Sequence, residues 1–230
     1  MQQQQIYWLR DEIACADELL SYAPALLEEF LAYHTDFVDG DYEKGLPVSS
    51  FLPGSLKFQE SKSVAVDPWK AEPMKYTWKS AGMNDLYYEN EHNQKHFPTA
   101  CALTKKWSDR SGMVGYSILE KDTIIHRHTG RENRDNEFLR VHVPLLIPPG
   151  DIFFECEGVE IDWSDIWGFN NQLIHSAHNY TNKRRLIYLI DISREAIGLP
   201  NDPPYDPERE LKIPPFVRGA LPKQLHKHQL

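Results

Sequence analysis

The first part of the chain carries its apolar residues at helical spacing. Over Asp11–Tyr33 apolar side chains recur every three or four residues, which predicts helices with one apolar face. Pro24 suits the first turn of a helix, so we expect two helices with a break near Ser21. Over Gly40–Lys79 this spacing is lost and Pro, Gly, Ser and Lys are frequent. An irregular connection packed by large side chains is the expectation there.

Beyond Val114 the spacing changes to short apolar stretches separated by turn residues. They predict strands at Tyr116–Leu119, Thr123–Ile125, Phe138–Ile147, Ile152–Cys156, Ile166–Phe169 and Leu186–Ile192. Short strands with no helix between them are typical of antiparallel sandwiches. The predicted fold is mainly β, a double-stranded β-helix of the jelly-roll, cupin-like type, with N-terminal helices packed on one sheet.

The sequence predicts one domain over residues 1–230, because it contains no internal repeat and no second pattern of this kind. Residues 1–113 would form a helical and irregular N-terminal part, and residues 114–195 the jelly-roll core. Residues 196–230 are rich in proline, which predicts an extended tail.

Composition and charge narrow the class of partner. The formal net charge of −9 argues against nucleic acid or an anionic membrane surface. Three widely separated cysteines do not make a disulfide framework, and they fit a reducing compartment. Neither a secretory leader nor an apolar run of membrane-spanning length is evident. We therefore expect a cytoplasmic protein.

Two histidines in the β-rich part are candidate metal ligands. His128 follows one predicted strand and His175 closes another stretch, and a jelly roll brings such distant strand ends to one mouth. Neutral imidazoles suit an iron(II) ion that must keep positions open for a chelating co-substrate and dioxygen. A carboxylate ligand would be expected two residues after the first histidine, where Gly130 stands instead. His178 is expected to point to the other side of its strand, toward solvent.

Cationic and hydroxyl side chains on other strands predict a pocket for a dicarboxylate. Arg185 begins an apolar strand ten residues after His175, and a guanidinium there can bind a distal carboxylate with two hydrogen bonds. Arg140 and His142 stand two residues apart and share one face of another strand. Ser117 can add a hydroxyl.

These residues, in this order, resemble the aspartyl/asparaginyl β-hydroxylase family of iron(II)- and 2-oxoglutarate-dependent oxygenases. The resemblance runs from Gly115 to about Arg194. Its motifs are Ser117 with His128-x-Gly130, Arg140-x-His142 with Pro144-Leu-Leu-Ile-Pro148, Phe169-Asn-Asn-Gln-Leu-Ile-His175 and Arg185-Leu-Ile-Tyr-Leu-Ile-Asp191. Glycine in place of the carboxylate ligand is itself a trait of that family.

The resemblance implies a role for each of these residues. His128 and His175 would bind iron(II) at the catalytic centre. The co-substrate 2-oxoglutarate would be held by four residues, which are Ser117 and Arg185 at the distal carboxylate and Arg140 and His142 near the metal-chelating end. The implied reaction uses dioxygen to hydroxylate an unactivated C–H bond, with the β-carbon of an aspartyl, asparaginyl or related substrate as the expected position.

Two segments are candidates for lining the substrate, namely Arg131–Glu137 and His96–Thr99. The segment between His128 and Arg140 is longer than in typical family members, so the loop at the mouth of the pocket differs.

Three alternatives stay open. A halide in the position left by Gly130 would make the protein an iron(II)- and 2-oxoglutarate-dependent halogenase. A cupin-type metalloenzyme would use His126, His128, Glu132 and His175 as ligands. A jelly-roll protein that binds without catalysis would use these histidines for structure alone.

Overall fold

The computed structural model describes residues 5–33, 58–60, 78–82, 91–108, 114–119, 121, 123–129 and 137–200. The strands of the described part form two antiparallel sheets. The major sheet contains β1 (Tyr7–Leu9), β2 (Phe58–Glu60), β3 (Trp78–Gly82), β4 (Val114–Leu119), β6 (Phe138–Leu146), β9 (Trp167–Phe169) and β11 (Arg185–Ser193), in the order β1-β9-β6-β11-β4-β3-β2. The minor sheet contains β5 (Thr123–His128), β7 (Ile152–Cys156), β8 (Val159–Ile161) and β10 (His175–Asn179), in the order β5-β10-β7-β8.

The strands from β4 to β11 divide equally between the two sheets. Strands β4, β6, β9 and β11 are adjacent in the major sheet, and β5, β7, β8 and β10 make up the minor one. The chain therefore crosses repeatedly from one sheet to the other, as in a double-stranded β-helix. The predicted jelly-roll fold is confirmed.

Helices cover the outer face of the major sheet. They are α1 (Ala16–Ser21), α2 (Ala23–Tyr33), α3 (Glu91–His96) and α4 (Pro98–Trp107). Helix α2 packs on β6 and α4 packs on β11. The predicted break between two N-terminal helices lies at Tyr22, one residue after Ser21. The Glu29 carboxylate of α2 accepts the Thr99 backbone N–H at 2.6 Å, which fixes the start of α4.

Strand β11 separates the apolar core from the site. Leu186, Tyr188, Ile190 and Ile192 pack in the cluster beneath the helices. The alternate residues face the minor sheet, because successive side chains of a strand point to opposite faces. They include Ile187, which belongs to the cluster between the sheets, and the two charged residues Arg185 and Asp191.

Several strands differ from the sequence-based expectation. Strand β1 joins the edge of the major sheet, and β2 and β3 extend its other edge within the N-terminal part that was expected to be helical and irregular. Strand β10 reads His-Ser-Ala-His-Asn, so its sequence lacks the apolar alternation that marks a strand. The tail from residue 201 onward lies outside the described residues.

Cys15, Cys101 and Cys156 are buried and carry free thiols. Burial raises the pKa of Cys15 to about 11. In the described part of the chain, no helix has the length and apolar character needed to cross a membrane.

Candidate active site

A pocket between the two sheets collects the polar residues that the sequence singled out. Ser117, Arg140, His142, His175 and Arg185 all line it, and apolar side chains such as Phe154, Phe169 and Ile187 form the remaining wall. The pocket contains about 450 Å³ of empty space, part of it open to solvent. This mixture of an apolar wall with a few polar groups is typical of small-molecule sites.

His128 and His175 lie opposite one another on neighbouring strands. Strands β5 and β10 are antiparallel, and the register pairs His175 with His128 before an irregularity between His175 and Ala177. Directly opposed residues of an antiparallel pair have Cα atoms about 4.5–5.5 Å apart. The structure thus brings together two residues from distant parts of the sequence. The His128 side chain is outside the described part.

The ring of His175 is held by a backbone carbonyl group and by two aromatic residues. Its Nδ1 lies 2.7 Å from the Leu173 carbonyl oxygen. Since a carbonyl only accepts, Nδ1 carries the proton and Nε2 is the nitrogen that can ligate a metal. The ring stacks on Phe154, with centroids 5.6 Å apart, and meets the edge of Phe169 at 4.9 Å.

Arg185 is a buried cation with unused hydrogen-bond donors. One terminal nitrogen donates to Ser117 Oγ at 3.0 Å and makes a longer contact of 3.4 Å with the Ser117 carbonyl oxygen. No described carboxylate pairs with it, and its Nε has no hydrogen-bond partner among the described residues. Burial lowers the pKa of Arg185 to about 9, so the side chain remains cationic at neutral pH.

His142 is enclosed by aromatic rings. Trp163 stacks on it at 5.4 Å between centroids, and Trp167 meets it edge-on at 4.5 Å. Burial lowers the pKa of His142 well below its ordinary value, and the positive charges of Arg185 and Arg140 lower it further. The imidazole is therefore neutral at physiological pH. Its Nδ1 has no hydrogen-bond partner within the described residues.

Arg140 shares the inner face of β6 with His142, as the two-residue spacing predicted. Its guanidinium binds the Asp191 carboxylate through two hydrogen bonds of 2.8 Å each, Nε to Oδ1 and a terminal nitrogen to Oδ2. The two residues are directly opposed on β6 and β11. Arg140 borders the pocket with its charge already balanced, whereas Arg185 has no such partner among the described residues.

The prediction that His178 faces solvent is wrong. The residue does lie on the outer face of the minor sheet, but it is fully buried. Its ring stacks on Phe153 at 4.6 Å, and its Nε2 lies 2.9 Å from Ser176 Oγ, which donates to Glu155. Glu155 also forms an ion pair with Arg127. A polar network with satisfied partners explains how a histidine is buried there.

The expectation that the segment His96–Thr99 lines the substrate is also wrong. It joins α3 to α4, and Phe97 belongs to the apolar cluster beneath the helices. That cluster lies on the opposite face of the major sheet from the pocket, so these residues do not line it.

Of the other candidate segment, Arg131–Glu137, only Glu137 is described. Gly130 and Glu132 lie outside the described residues, as does the side chain of His126, which is part of β5.

The residues that the structure describes fit a dicarboxylate co-substrate. A buried guanidinium with an unpaired Nε is costly unless an anion binds it. A neutral histidine with an unpaired Nδ1 lies in the same pocket, beside a histidine whose Nε2 can ligate a metal. This set of donors suits a chelating acid with a second carboxylate.

Two residues of the site were missed in the sequence. Asp191 stands six residues after Arg185, an even spacing that places it on the same face of β11, so strand alternation could have found it. Trp163 lies in the turn between β8 and β9, and it contacts both Arg185 and His142. No periodic signal marks a residue in such a turn.

The fold and pocket define a jelly-roll protein with a small-molecule site between its sheets. A profile of the family described as aspartyl/asparaginyl beta-hydroxylase matches residues 55–195. The chain therefore belongs to the aspartyl/asparaginyl β-hydroxylase family, a family of iron(II)- and 2-oxoglutarate-dependent hydroxylases.

Individual proteins show the same likeness over shorter stretches. The aspartyl/asparaginyl beta-hydroxylase of Mus musculus is 30% identical over 110 residues, which are 45% of this chain and 14% of that protein. The Homo sapiens protein of the same name is 28% identical over 109 residues, with the same two shares. The match thus covers a small part of both curated relatives. Among solved structures, a prolyl hydroxylase from Trichoplax adhaerens, in complex with a hypoxia inducible factor peptide, is 15% identical with a TM-score of 0.40, over 77% of this chain and 81% of that chain.

Proposed function

We propose that the protein is an iron(II)- and 2-oxoglutarate-dependent oxygenase that hydroxylates the β-carbon of an aspartyl, asparaginyl or related amino-acid or peptide substrate. The observation that carries the proposal is Arg185. It is a buried cation, bonded to Ser117, whose pocket also contains His175. The names of the curated relatives support the choice of substrate class.

His128 and His175 would hold the iron ion, one from each of two paired strands. When bound, iron(II) with 2-oxoglutarate supplies the oxidation of a C–H bond by dioxygen, coupled to decarboxylation of 2-oxoglutarate to succinate and carbon dioxide. The hydrogen bond from His175 Nδ1 to the Leu173 carbonyl orients the ring so that Nε2 is the ligand atom.

Arg185 and Ser117 would bind the distal carboxylate of 2-oxoglutarate. A guanidinium matches the planar geometry of a carboxylate and gives two charge-assisted hydrogen bonds. The site is buried, so these bonds form at low dielectric and contribute more than they would in water. Binding at this end would direct the opposite end of the molecule toward His175, which lines the same pocket.

The remaining wall controls the surroundings of the reaction. Phe154 and Phe169 pack around His175 and exclude water from that side of the pocket. His142 stays neutral, so it adds no positive charge beside Arg140 and Arg185. A dry and preorganised site of this kind favours correct positioning of the C–H bond.

The deciding experiment is a substrate panel measured by substrate-dependent release of succinate. The protein is loaded with iron(II) without oxygen and then supplied with 2-oxoglutarate, oxygen and free amino acids, peptides or small carboxylates, with and without chloride. A product heavier by one oxygen atom supports the proposal. A chlorinated product in the presence of chloride would establish the halogenase alternative instead.

Inactivity on every substrate with no iron(II) bound in anaerobic titrations would overturn the proposal and leave the non-catalytic alternative. Binding of iron(II) without binding of 2-oxoglutarate would also overturn it and leave the cupin-type alternative. Hydroxylation away from the β-carbon, located by mass spectrometry of the product fragments, would refute the substrate position while leaving the reaction type intact.

A further inference from the structure

Trp163 contacts Arg185 and His142, and each of these has a side-chain nitrogen without a hydrogen-bond partner among the described residues. Its ring lies 4.6 Å from the central guanidinium carbon of Arg185. The same residue stacks on the His142 ring, with centroids 5.4 Å apart and planes inclined by 24°. Only 3% of Trp163 is exposed, and its Nε1 has no hydrogen-bond partner among the described residues. Its position is therefore set by ring packing.

Arg140 and Arg185, the two arginines that line the pocket among the described residues, are stabilised in different ways. Asp191 neutralises Arg140 and takes both the Nε and a terminal nitrogen as donors. Arg185 has an aromatic face instead, and a cation–π contact stabilises the charge without using a single N–H group. A carboxylate at this place would compete with an incoming anion, whereas the indole leaves the donors available.

We propose that Trp163 is a positioning residue for 2-oxoglutarate. It holds the buried guanidinium of Arg185 in place without a carboxylate partner among the described residues, so that the pocket is ready for the distal carboxylate. This inference rests on the proposed function. It concerns the distal end of the co-substrate, because the cation that Trp163 contacts is Arg185.

The effect should be selective for ligands that carry a distal carboxylate. A cation–π contact at a desolvated site corresponds to a change of roughly 3- to 30-fold in affinity. Trp163→Leu should lower the affinity for 2-oxoglutarate by that factor. Oxalate, which chelates a metal and has no distal group, should bind the same variant as it binds the wild type. A merely structural role would weaken both ligands alike.

The test is anaerobic calorimetric titration of the manganese(II)-loaded full chain with 2-oxoglutarate and with oxalate. Trp163→Phe keeps a smaller aromatic face and should lose about 2- to 5-fold in 2-oxoglutarate affinity, so it carries the test where the Leu variant does not fold. Trp8→Leu is a matched control, because Trp8 makes the same kind of contact with Arg194, at 4.8 Å, in the cluster beneath the helices. It should leave both affinities unchanged.

The outcomes separate this inference from the function on which it rests. If the wild type binds oxalate but not 2-oxoglutarate, the proposed co-substrate is wrong. If the wild type binds 2-oxoglutarate and both Trp163 variants bind it equally well, the co-substrate stands and the role of Trp163 is refuted. Equal weakening of 2-oxoglutarate and oxalate in the variants also refutes it.

Discussion

Arg140 and Asp191 form a bidentate ion pair at the edge of the pocket, with two hydrogen bonds of 2.8 Å. The two residues are directly opposed on β6 and β11. The Asp191 side chain is fully buried and that of Arg140 nearly so. Because the pair satisfies both charges, the stability of the sandwich depends on keeping the two partners together.

Asp191→Ala should lower the free energy of unfolding by about 3–5 kcal/mol, since it leaves the Arg140 charge buried without its partner. Urea denaturation of the metal-free protein measures the change. The double variant Arg140→Met with Asp191→Leu is the control and should recover most of the loss, because buried pairs are often replaceable by apolar residues. A double variant as unstable as the single one would contradict this explanation.

His175→Ala should abolish metal binding, because it removes one of the paired imidazoles. His178→Phe is the matched control: it lies three residues further along the same strand on the opposite face, and a phenyl ring can keep the stack on Phe153. Anaerobic titration with manganese(II) or cobalt(II) checks both variants. Retained affinity in the His175 variant, or equal loss in both, would contradict the assignment of His175 as a ligand.

Arg185→Ala should weaken the binding of 2-oxoglutarate by about 2–5 kcal/mol, as expected when one partner of a buried charge pair is removed. Arg185→Lys keeps the charge but loses the planar fork, so its affinity should fall between the wild type and the Ala variant. Calorimetric titration of the metal-loaded protein gives the values. Unchanged affinity in the Ala variant would show that another group binds the distal carboxylate.

Acidification should destabilise the metal-free protein through His142. The pKa of this residue is depressed in the folded state, while the unfolded value is about 6.5. Its contribution is fully present above pH 6.5 and declines as the pH falls toward the folded-state pKa, at up to about 1.4 kcal/mol per pH unit. Urea unfolding at pH 7.5 and pH 5.5 should show a smaller pH effect for His142→Phe than for the wild type. Identical pH effects would mean that His142 is not the group responsible.

The sequence was sufficient to predict the parts of the site that depend on strand alternation. Arg140 and His142 share a face because they are two residues apart, and Arg185 is carried by a strand whose alternate residues are apolar. Once the jelly roll was expected, these positions had to meet between the sheets. The alternation of side chains is a local property of each strand, so it can be predicted from a single sequence.

The missed features depend on contacts between distant segments. Nothing local distinguishes Arg140, which has a carboxylate opposite it, from Arg185, which has an indole. His178 was expected in solvent because a polar strand face normally lies there, but Glu155 and Ser176 satisfy it in a buried network. Partner identity depends on register between strands, and register is not visible in a single strand.

The contact between Arg185 and Ser117 joins residues 68 positions apart, on strands that are neighbours only in the finished major sheet. The second strand of this pair, β11, is the last strand of the described chain to be made during synthesis. Long loops must close before such a contact forms, and this closure has an entropic cost. The ability to bind a dicarboxylate would therefore arise only once these two strands have paired, and uptake of the co-substrate would report completed folding in a newly made chain.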